Sequence, residues 1–169
     1  MSHKVEIRKA KSGDEHELIK MFRSLYQESD FLLKEPGESE ISAEEQAQLV
    51  KEYSQSNSQV LFVAAEEKAI LGFLGGTGGK TNRNRHTIHI AMGVLEAHQC
   101  KGIGHRLLQN FVDWAVSNQF HRIELTVVEA NTRAKALYEK MGFQTEGIKH
   151  NSLKVNGAFI NEYYMAKLI

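Results

Sequence analysis

The sequence predicts a single α/β (α+β) domain, with a mixed, mostly antiparallel central sheet of about seven strands flanked by about four helices. Two observations lead to this prediction. Apolar residues recur in some segments at the two-residue period of strands and in others at helical spacing. These segments follow the order strand, two helices, three strands, helix, strand, helix, two strands, with no repeat or linker between them. One domain over residues 1–169 is therefore expected.

The beginning of the chain predicts a strand and two helices. Residues 4–8 alternate between apolar and charged side chains, as in a half-buried strand. Ser12 and Glu15 have the spacing of a capping box and precede apolar residues at helical spacing. Ser42 and Glu45 repeat this spacing ahead of a second apolar stripe. Each pair is predicted to begin a helix.

The middle of the chain predicts an antiparallel meander of three strands, followed by a helix. The strands are expected over residues 59–67, 69–79 and 87–94, because each is apolar and is separated from the next by a polar turn. The helix follows a glycine-containing loop and is expected to end near Asn118.

The last third predicts a strand, a helix and a closing hairpin. The strand covers residues 122–128, and Asn131 is placed to cap the helix that follows. Gly142 stands where a helix C-terminus favours glycine. Asn156-Gly157 between two apolar runs is typical of a tight hairpin turn.

Composition excludes some functional classes. The 21 basic and 21 acidic residues cancel, which argues against a non-specific nucleic-acid binder. The single cysteine, Cys100, has no partner for an internal disulfide, so a reducing compartment is expected. The first residues lack the apolar segment of a signal peptide, and no apolar run is long enough to cross a bilayer. We expect a cytoplasmic protein without a nucleic-acid or membrane partner.

The stretch HQCKGIG, residues 98–104, carries the first functional pattern. Glycines just before a helix allow the backbone to approach a ligand closely, and the free N–H groups of the helix N-terminus attract phosphate. The same glycines also suit an ordinary strand-to-helix turn. The stretch lacks the Gly-Lys-Ser/Thr ending of a Walker loop and the third glycine of the dinucleotide fingerprint. Taken alone, it leaves a turn and a phosphate loop both open.

A second pattern lies downstream, in NTRAKALYEKMGF over residues 131–143. Together with Met92-Gly93-Val94 and the Gln99 loop, it resembles the two signatures of the GNAT superfamily of acetyl-CoA-dependent N-acetyltransferases. The order of predicted elements is also similar to that fold, over essentially the whole chain. The resemblance implies an acyltransferase that transfers groups other than aminoacyl groups, with acetyl-CoA as co-substrate and no metal. A homodimer is implied only by analogy.

The resemblance also implies roles for individual residues. The backbone of Met92, Gly93 and Val94 would pair with the pantetheine arm, and Asn131 would bond the same region besides capping its helix. Tyr138 would protonate the departing CoA thiolate, although its apolar stripe also suits core packing. The residues implied to surround the pyrophosphate are Gln99, Cys100, Lys101, Gly102, Ile103, Gly104 and His105.

The general base is the main departure from the family. Members of the superfamily place a carboxylate where this chain has Ile88, or five residues before the asparagine, where it has Thr126. Glu129 and His89 are weaker alternatives, and deprotonation of the amine through water is preferred. The loop also lacks a proline between residues 95 and 98, and Cys100 replaces a frequent glycine. Because backbone atoms are expected to do the binding, neither change should abolish it.

Other residues with reactive side chains receive plainer interpretations. Cys100 is not expected to act as a nucleophile. His86 and His89 are expected to face opposite sides of a strand, so they do not form a metal pair. Arg133 and Lys135 are expected to be solvated, although both would be within reach of CoA phosphates.

The predicted reaction is transfer of acetyl to a primary amine by direct attack, with a small-molecule acceptor favoured. The acceptor is expected between the helices over residues 22–45 and the closing hairpin over residues 150–164. Acetylation of a protein N-terminus or lysine, a non-catalytic acyl-CoA-binding regulator and another kind of nucleotide-binding module are the alternatives.

Overall fold

A computed structural model describes residues 4–169 as a seven-stranded sheet with helices on both faces. The predicted domain also includes residues 1–3, which lie outside the described residues. The strands are β1 (Glu6–Lys9), β2 (Gln59–Glu66), β3 (Ala69–Gly78), β4 (Thr87–Val94), β5 (Arg122–Val128), β6 (Gln144–Val155) and β7 (Ala158–Leu168). The helices are α1 (Glu15–Glu28), α2 (Ala43–Gln55), α3 (Ile103–Ser117) and α4 (Thr132–Lys140). The predicted α/β class and element order are confirmed.

The sheet is covered by helices on both faces along its first half only. Leu107 and Phe111 of α3 are fully buried on one face, in a cluster that extends to α4. Leu18 and Leu25 of α1 are buried on the other face with α2. No comparable apolar cluster lies on the α1 side of β5, β6 and β7 within residues 4–169. That face of the sheet carries the polar residues Glu124, Thr126 and Glu162 beside apolar ones such as Val128.

The sheet divides between β4 and β5, its one parallel pair. The strand order is β1-β2-β3-β4-β5-β7-β6. β4 and β5 pair only over the three residues that end at His89 and Glu124. Beyond this point β4 stays paired with β3 up to Val94, and β5 stays paired with β7 up to Val128. The two halves of the sheet therefore diverge and leave a wedge between them.

Three local predictions are confirmed. Ser42 and Glu45 form the complete capping box that begins α2. The Asn131 side chain accepts a hydrogen bond from the backbone N–H of Ala134 and so caps α4. Asn156 and Gly157 both have positive φ, at 50° and 83°, as the hairpin turn between β6 and β7 requires.

The predicted capping box at Ser12 is wrong. Helix α1 begins one residue after Asp14, which occupies the N-cap position without a side-chain cap bond. Gly13, at φ 97°, turns the chain, and Glu15 accepts a hydrogen bond from the Gly13 N–H. The Asp14 carboxylate is unavailable for capping because it forms a bidentate pair with the Arg8 guanidinium, at 2.7 and 2.9 Å.

No helix within residues 4–169 is both long enough and apolar enough to cross a membrane.

Candidate active site

A groove of about 1500 Å³ lies in the wedge between β4 and β5. Its walls include the end of β4, the loop before α3, the first turns of α4 and the β6–β7 hairpin. From Ile90 to Val94, the edge of β4 that faces β5 has no strand partner in the described part of the chain. Apart from the Val94 carbonyl, which accepts a hydrogen bond from Gln99, the backbone N–H and C=O groups that point to this edge are therefore available to a ligand that lies along the strand.

The loop before α3 directs backbone N–H groups toward this groove. After a short 3-10 turn over Glu96–His98, Cys100 and Gly102 adopt the left-handed region, at φ 59° and 77°. The first helical bond of α3 joins the Arg106 N–H to the Gly102 carbonyl. The N–H groups of Ile103, Gly104 and His105 precede that bond, and all three residues line the groove. This is the geometry of an anion site at a helix N-terminus.

Gly104 also has a packing role. A Cβ at this position would lie 3.0 Å from Leu137 Cδ2 and 3.6 Å from Met92 Cε. The absence of a side chain therefore lets α4 approach the loop. Gly93 plays the same role on the opposite face of the sheet, where a Cβ would lie 3.1 Å from Leu25 Cδ1 of α1. Both glycines bring helices up to the rim of the wedge.

The side chain of Gln99 connects three parts of the site. Its amide nitrogen donates to the Val94 carbonyl at 2.9 Å, at the end of β4. Its amide oxygen accepts a hydrogen bond from the Arg133 guanidinium in the first turn of α4. Gln99 therefore positions the loop, and Arg133 lies at the loop although its side chain is exposed.

Tyr138 is buried on α4, only 6% exposed, with its ring 5.7 Å from that of Phe143. The residue lines the groove. Burial raises the pKa of the Tyr138 hydroxyl to about 12. The phenol is therefore protonated at neutral pH and has a proton to donate.

The structure brings together all but one of the predicted site residues. Lys101 does not line the groove, because its ammonium group donates to the Ala97 carbonyl at 2.9 Å and closes the loop from outside. The predicted residues that do line it are Met92, Gly93, Val94, Gln99, Cys100, Gly102, Ile103, Gly104, His105, Asn131 and Tyr138. Their contacts with a ligand stay a prediction.

The alternative bases occupy different surroundings. His89 lines the groove. Glu129 does not, and its carboxylate instead accepts hydrogen bonds from Asn161 Nδ2 at 3.2 Å and Tyr163 Oη at 3.3 Å. His86 lies in the turn before β4, so the expectation that it shares a strand with His89 is wrong. Within this turn the Asn84 side-chain oxygen accepts hydrogen bonds from both the backbone N–H and the hydroxyl of Thr81.

Charged side chains are distributed unevenly around the groove. Arg106, Arg133 and Lys140 line it and lie on α3 and α4, which pack against one face of the sheet. Glu124 and Glu162 also line it. Leu125, next to Glu124, and Met165, three residues after Glu162, belong to the core beneath α3 and α4. Since successive side chains of a strand alternate between its faces, both carboxylates face the opposite side. The groove thus has Arg106, Arg133 and Lys140 on one side and Glu124, Glu162 and Lys149 on the other, which we call the acidic side.

Glu162 was not predicted individually, although it falls within the hairpin expected to line the acceptor site. It is 8% exposed, on β7, directly opposite Lys149 of β6 and Val128 of β5. Burial raises the pKa of its carboxyl group, but the hydroxyls of Ser152 and Thr126 and the ammonium of Lys149 lower it by more. The net pKa lies below the usual range, so the carboxylate is ionised. Its sequence context contains no pattern that reveals these long-range neighbours.

Within residues 4–169, no group of three or more His, Cys, Asp or Glu side chains has a metal-binding arrangement.

Comparisons with known proteins agree with this architecture. A family model described as the acetyltransferase (GNAT) family matches residues 19–143. N-alpha-acetyltransferase RimI of Mycobacterium tuberculosis is 36% identical over 80 residues, which cover 47% of this chain and 48% of that protein. The matched segment thus spans about half the length of this curated relative.

Two solved structures extend the likeness to nearly the whole chain. A GNAT-family acetyltransferase from Streptococcus pneumoniae superposes with a TM-score of 0.95 at 28% identity, covering 98% of this chain and 100% of that one. The yncA protein of Salmonella typhimurium, solved with its cofactor acetyl-CoA, has a TM-score of 0.86 at 16% identity and covers 98% and 94% of the two chains. The second likeness shows a shared fold.

Proposed function

The chain belongs to the acetyltransferase (GNAT) family, and on this premise we propose that it transfers acetyl from acetyl-CoA to a primary amine, with a small molecule as the acceptor. The observation that carries this proposal is the wedge between β4 and β5, which places an unpaired strand edge next to a glycine loop at a helix N-terminus.

The donor side of the groove fits an extended chain with amide groups that ends in a pyrophosphate. Met92, Gly93 and Val94 offer backbone groups to pantetheine, as an added strand would use them. The N–H groups of the loop from Gln99 to His105 bind the pyrophosphate, supported by the dipole of α3. Acetyl-CoA supplies an activated acyl group at the sulfur end of that chain.

Tyr138 acts as the general acid in this proposal. Its buried hydroxyl carries a proton at neutral pH, because its pKa is about 12. A thiolate leaving group gains from protonation as it departs. Tyr138 lines the groove from α4, on the side where the glycine loop places the donor.

The amine attacks the thioester directly, without a covalent enzyme intermediate. Ile88 is fully buried and apolar, and Thr126 bears only a hydroxyl, so the two family positions for a basic carboxylate are without one. Proton removal through water is the preferred route. Cys100 is exposed in the loop, where its backbone serves pyrophosphate binding rather than nucleophilic attack.

The acceptor enters from the acidic side of the wedge. Groove residues there come from the end of α1, the segment over residues 29–33 and the β6–β7 hairpin. A protein N-terminus or lysine is the second candidate acceptor. The relative named N-alpha-acetyltransferase RimI supports an α-amino group rather than lysine. A cytoplasmic location is supported by the single cysteine. A homodimer is supported only by family analogy.

The proposal is tested by an acetyl-transfer screen that follows release of the free CoA thiol. Acetyl-CoA is presented with polyamines, aminoglycosides, amino acids and peptides with free N-termini or lysines. Acetyl transfer to a small amine supports the proposal, and preferential transfer to peptides favours the second candidate. Binding of CoA without transfer to any amine would indicate a non-catalytic acyl-CoA-binding regulator.

A further inference from the structure

We propose that Glu162, Ser152 and Thr126 form a subsite that binds the protonated amino group of the acceptor and so selects amines that are cationic in solution. This inference rests on the proposed function, whose reaction needs an amine at the wedge. The bound ammonium group releases one proton to water before its nitrogen attacks the thioester carbonyl, and the CoA thiolate leaves with the proton of Tyr138. The site is defined by residues of three different strands.

The sheet register brings these residues together. Glu162 pairs with Val128, so Thr126, two residues earlier on β5, lies diagonally across from it on the same face. Lys149 lies directly opposite Glu162 on β6. Ser152 follows in a segment where the β6–β7 register shifts, and it lines the same groove. Thr126, Ser152 and Glu162 thus surround one point of the groove wall.

Glu162 is a buried carboxylate whose cationic partner is itself partly exposed to solvent. Its only ion pair in the described part of the chain is with Lys149, at 3.4 Å, and 37% of the Lys149 side chain is exposed. Glu124, a second carboxylate that lines the groove, is paired with Arg122 at 2.9 Å. Since a buried carboxylate needs a partner, Glu162 is the one that gains most from an incoming cation.

Ser152 supplies a second, independent observation. Its Oγ atom is buried near the Glu162 carboxylate but completes no hydrogen bond of standard geometry within the described residues. An ammonium group carries three N–H donors, and the Glu162 carboxylate and the hydroxyl oxygens of Ser152 and Thr126 offer three acceptors. A bound amine therefore satisfies Ser152 and neutralises Glu162 at once.

Lys149 competes for the same carboxylate. Its long, half-exposed side chain can turn to solvent when a ligand ammonium arrives, since a pair of this kind contributes only about 0–1 kcal/mol. The ring of Tyr164 lies 5.4 Å from the Lys149 ammonium and holds it over the rim in the present arrangement. Lys149 thus occupies the subsite when the acceptor is absent.

The test compares benzylamine, which is cationic at pH 7, with aniline, which is neutral there. Binding of each amine is measured by calorimetry in the presence of CoA, and acetyl transfer is measured in parallel. In Glu162→Gln, we expect benzylamine affinity and kcat/KM to fall roughly 10- to 100-fold, the loss of a charged hydrogen bond. The affinity and kcat/KM for aniline should change less than about threefold. The affinity for acetyl-CoA should be unchanged.

Two further variants keep the test decisive. Lys149→Met removes the competitor and should tighten benzylamine binding about two- to fivefold, which remains measurable even where Glu162→Gln fails to fold. Asp14→Asn alters a carboxylate that is equally buried at 8% but lies outside the groove, and so measures the effect of lost stability alone.

Equal losses for the two amines in Glu162→Gln, or weaker benzylamine binding in Lys149→Met, would overturn the subsite. The binding measurement separates this failure from failure of the proposed function. A wild-type protein that binds benzylamine through Glu162 but transfers no acetyl group contradicts the enzyme and leaves the subsite standing.

Discussion

The side-chain amide of Gln99 donates a hydrogen bond to the carbonyl oxygen of Val94, at 2.9 Å. This bond connects the glycine loop to the end of β4. The same side chain accepts a hydrogen bond from Arg133 of α4. One side chain thus connects the end of β4 to the first turn of α4. Gln99 thus contributes through its side chain as well as its backbone.

Gln99→Ala should weaken acetyl-CoA binding roughly tenfold, because it removes two hydrogen bonds that each contribute about 0.5–1.5 kcal/mol. The kcat at saturating acetyl-CoA should change much less, since no reacting atom is touched. Calorimetric titration with acetyl-CoA measures the effect. Gln109→Ala, on the exposed side of α3, is the control. Unchanged affinity in Gln99→Ala would show that the loop holds its shape without this side chain.

Tyr138→Phe should lower kcat by about 10²- to 10⁴-fold, the usual contribution of general acid catalysis. Affinity for CoA should stay within about twofold, because the ring and its packing against Phe143 are kept. Tyr163→Phe is the control, since the Tyr163 hydroxyl bonds Glu129 and the residue lies outside the groove. A parallel loss of turnover and CoA affinity would contradict the acid role.

Two adjacent glycines of β3 should differ in their tolerance of substitution by alanine. A Cβ at Gly76 would lie 2.5 Å from Phe111 Cε2 in the core, whereas a Cβ at Gly75 would lie 3.8 Å from Leu61 Cδ1. Gly76→Ala should therefore lower the free energy of unfolding by about 1–3 kcal/mol. Gly75→Ala should be close to neutral. Urea denaturation measures both, and equal effects would show that the core relaxes around the added methyl group.

The pair of Arg8 and Asp14 should make stability depend on acid pH. Burial raises the pKa of the Asp14 carboxyl, but the Arg8 guanidinium and the Lys11 N–H lower it by more, so the folded pKa lies below the unfolded value of about 3.9. The stabilisation is therefore complete above that value and is lost as the pH falls through the folded pKa.

Asp14→Asn should consequently lower the free energy of unfolding by about 1.5–3 kcal/mol at pH 7. The difference from the wild type should shrink below about pH 4. Urea unfolding across this range provides the measurement. A difference that stays constant down to pH 2 would mean that the charge on Asp14 does not stabilise the fold.

The secondary-structure elements that could be predicted from the sequence are those determined by residues close together in the chain. The apolar period identifies the seven strands and four helices, and Ser42, Asn131 and the Asn156-Gly157 turn act on residues a few positions away. The Ser12 capping box failed because Arg8, on a different element, binds Asp14 and moves the helix start. Spacing alone does not reveal such a competitor.

The donor side of the groove could be predicted from the sequence, whereas the acceptor side could not. Residues of the donor side follow one another along the chain in two patterns, so their proximity was foreseeable. Glu162 comes near Thr126 and Ser152 only through the register of β5, β7 and β6, which depends on long-range pairing and on shifts within β6. A carboxylate contributed by a neighbouring strand has no signature in the spacing of residues.

The most direct test of the central claim is the change in melting temperature on adding acetyl-CoA, compared with ATP at the same concentration. A ligand that binds only the folded state stabilises it by an amount set by its affinity. The wedge and loop predict a clear rise with acetyl-CoA and a smaller one or none with ATP, which lacks the pantetheine arm. A rise with ATP and none with acetyl-CoA would contradict the assignment of the groove.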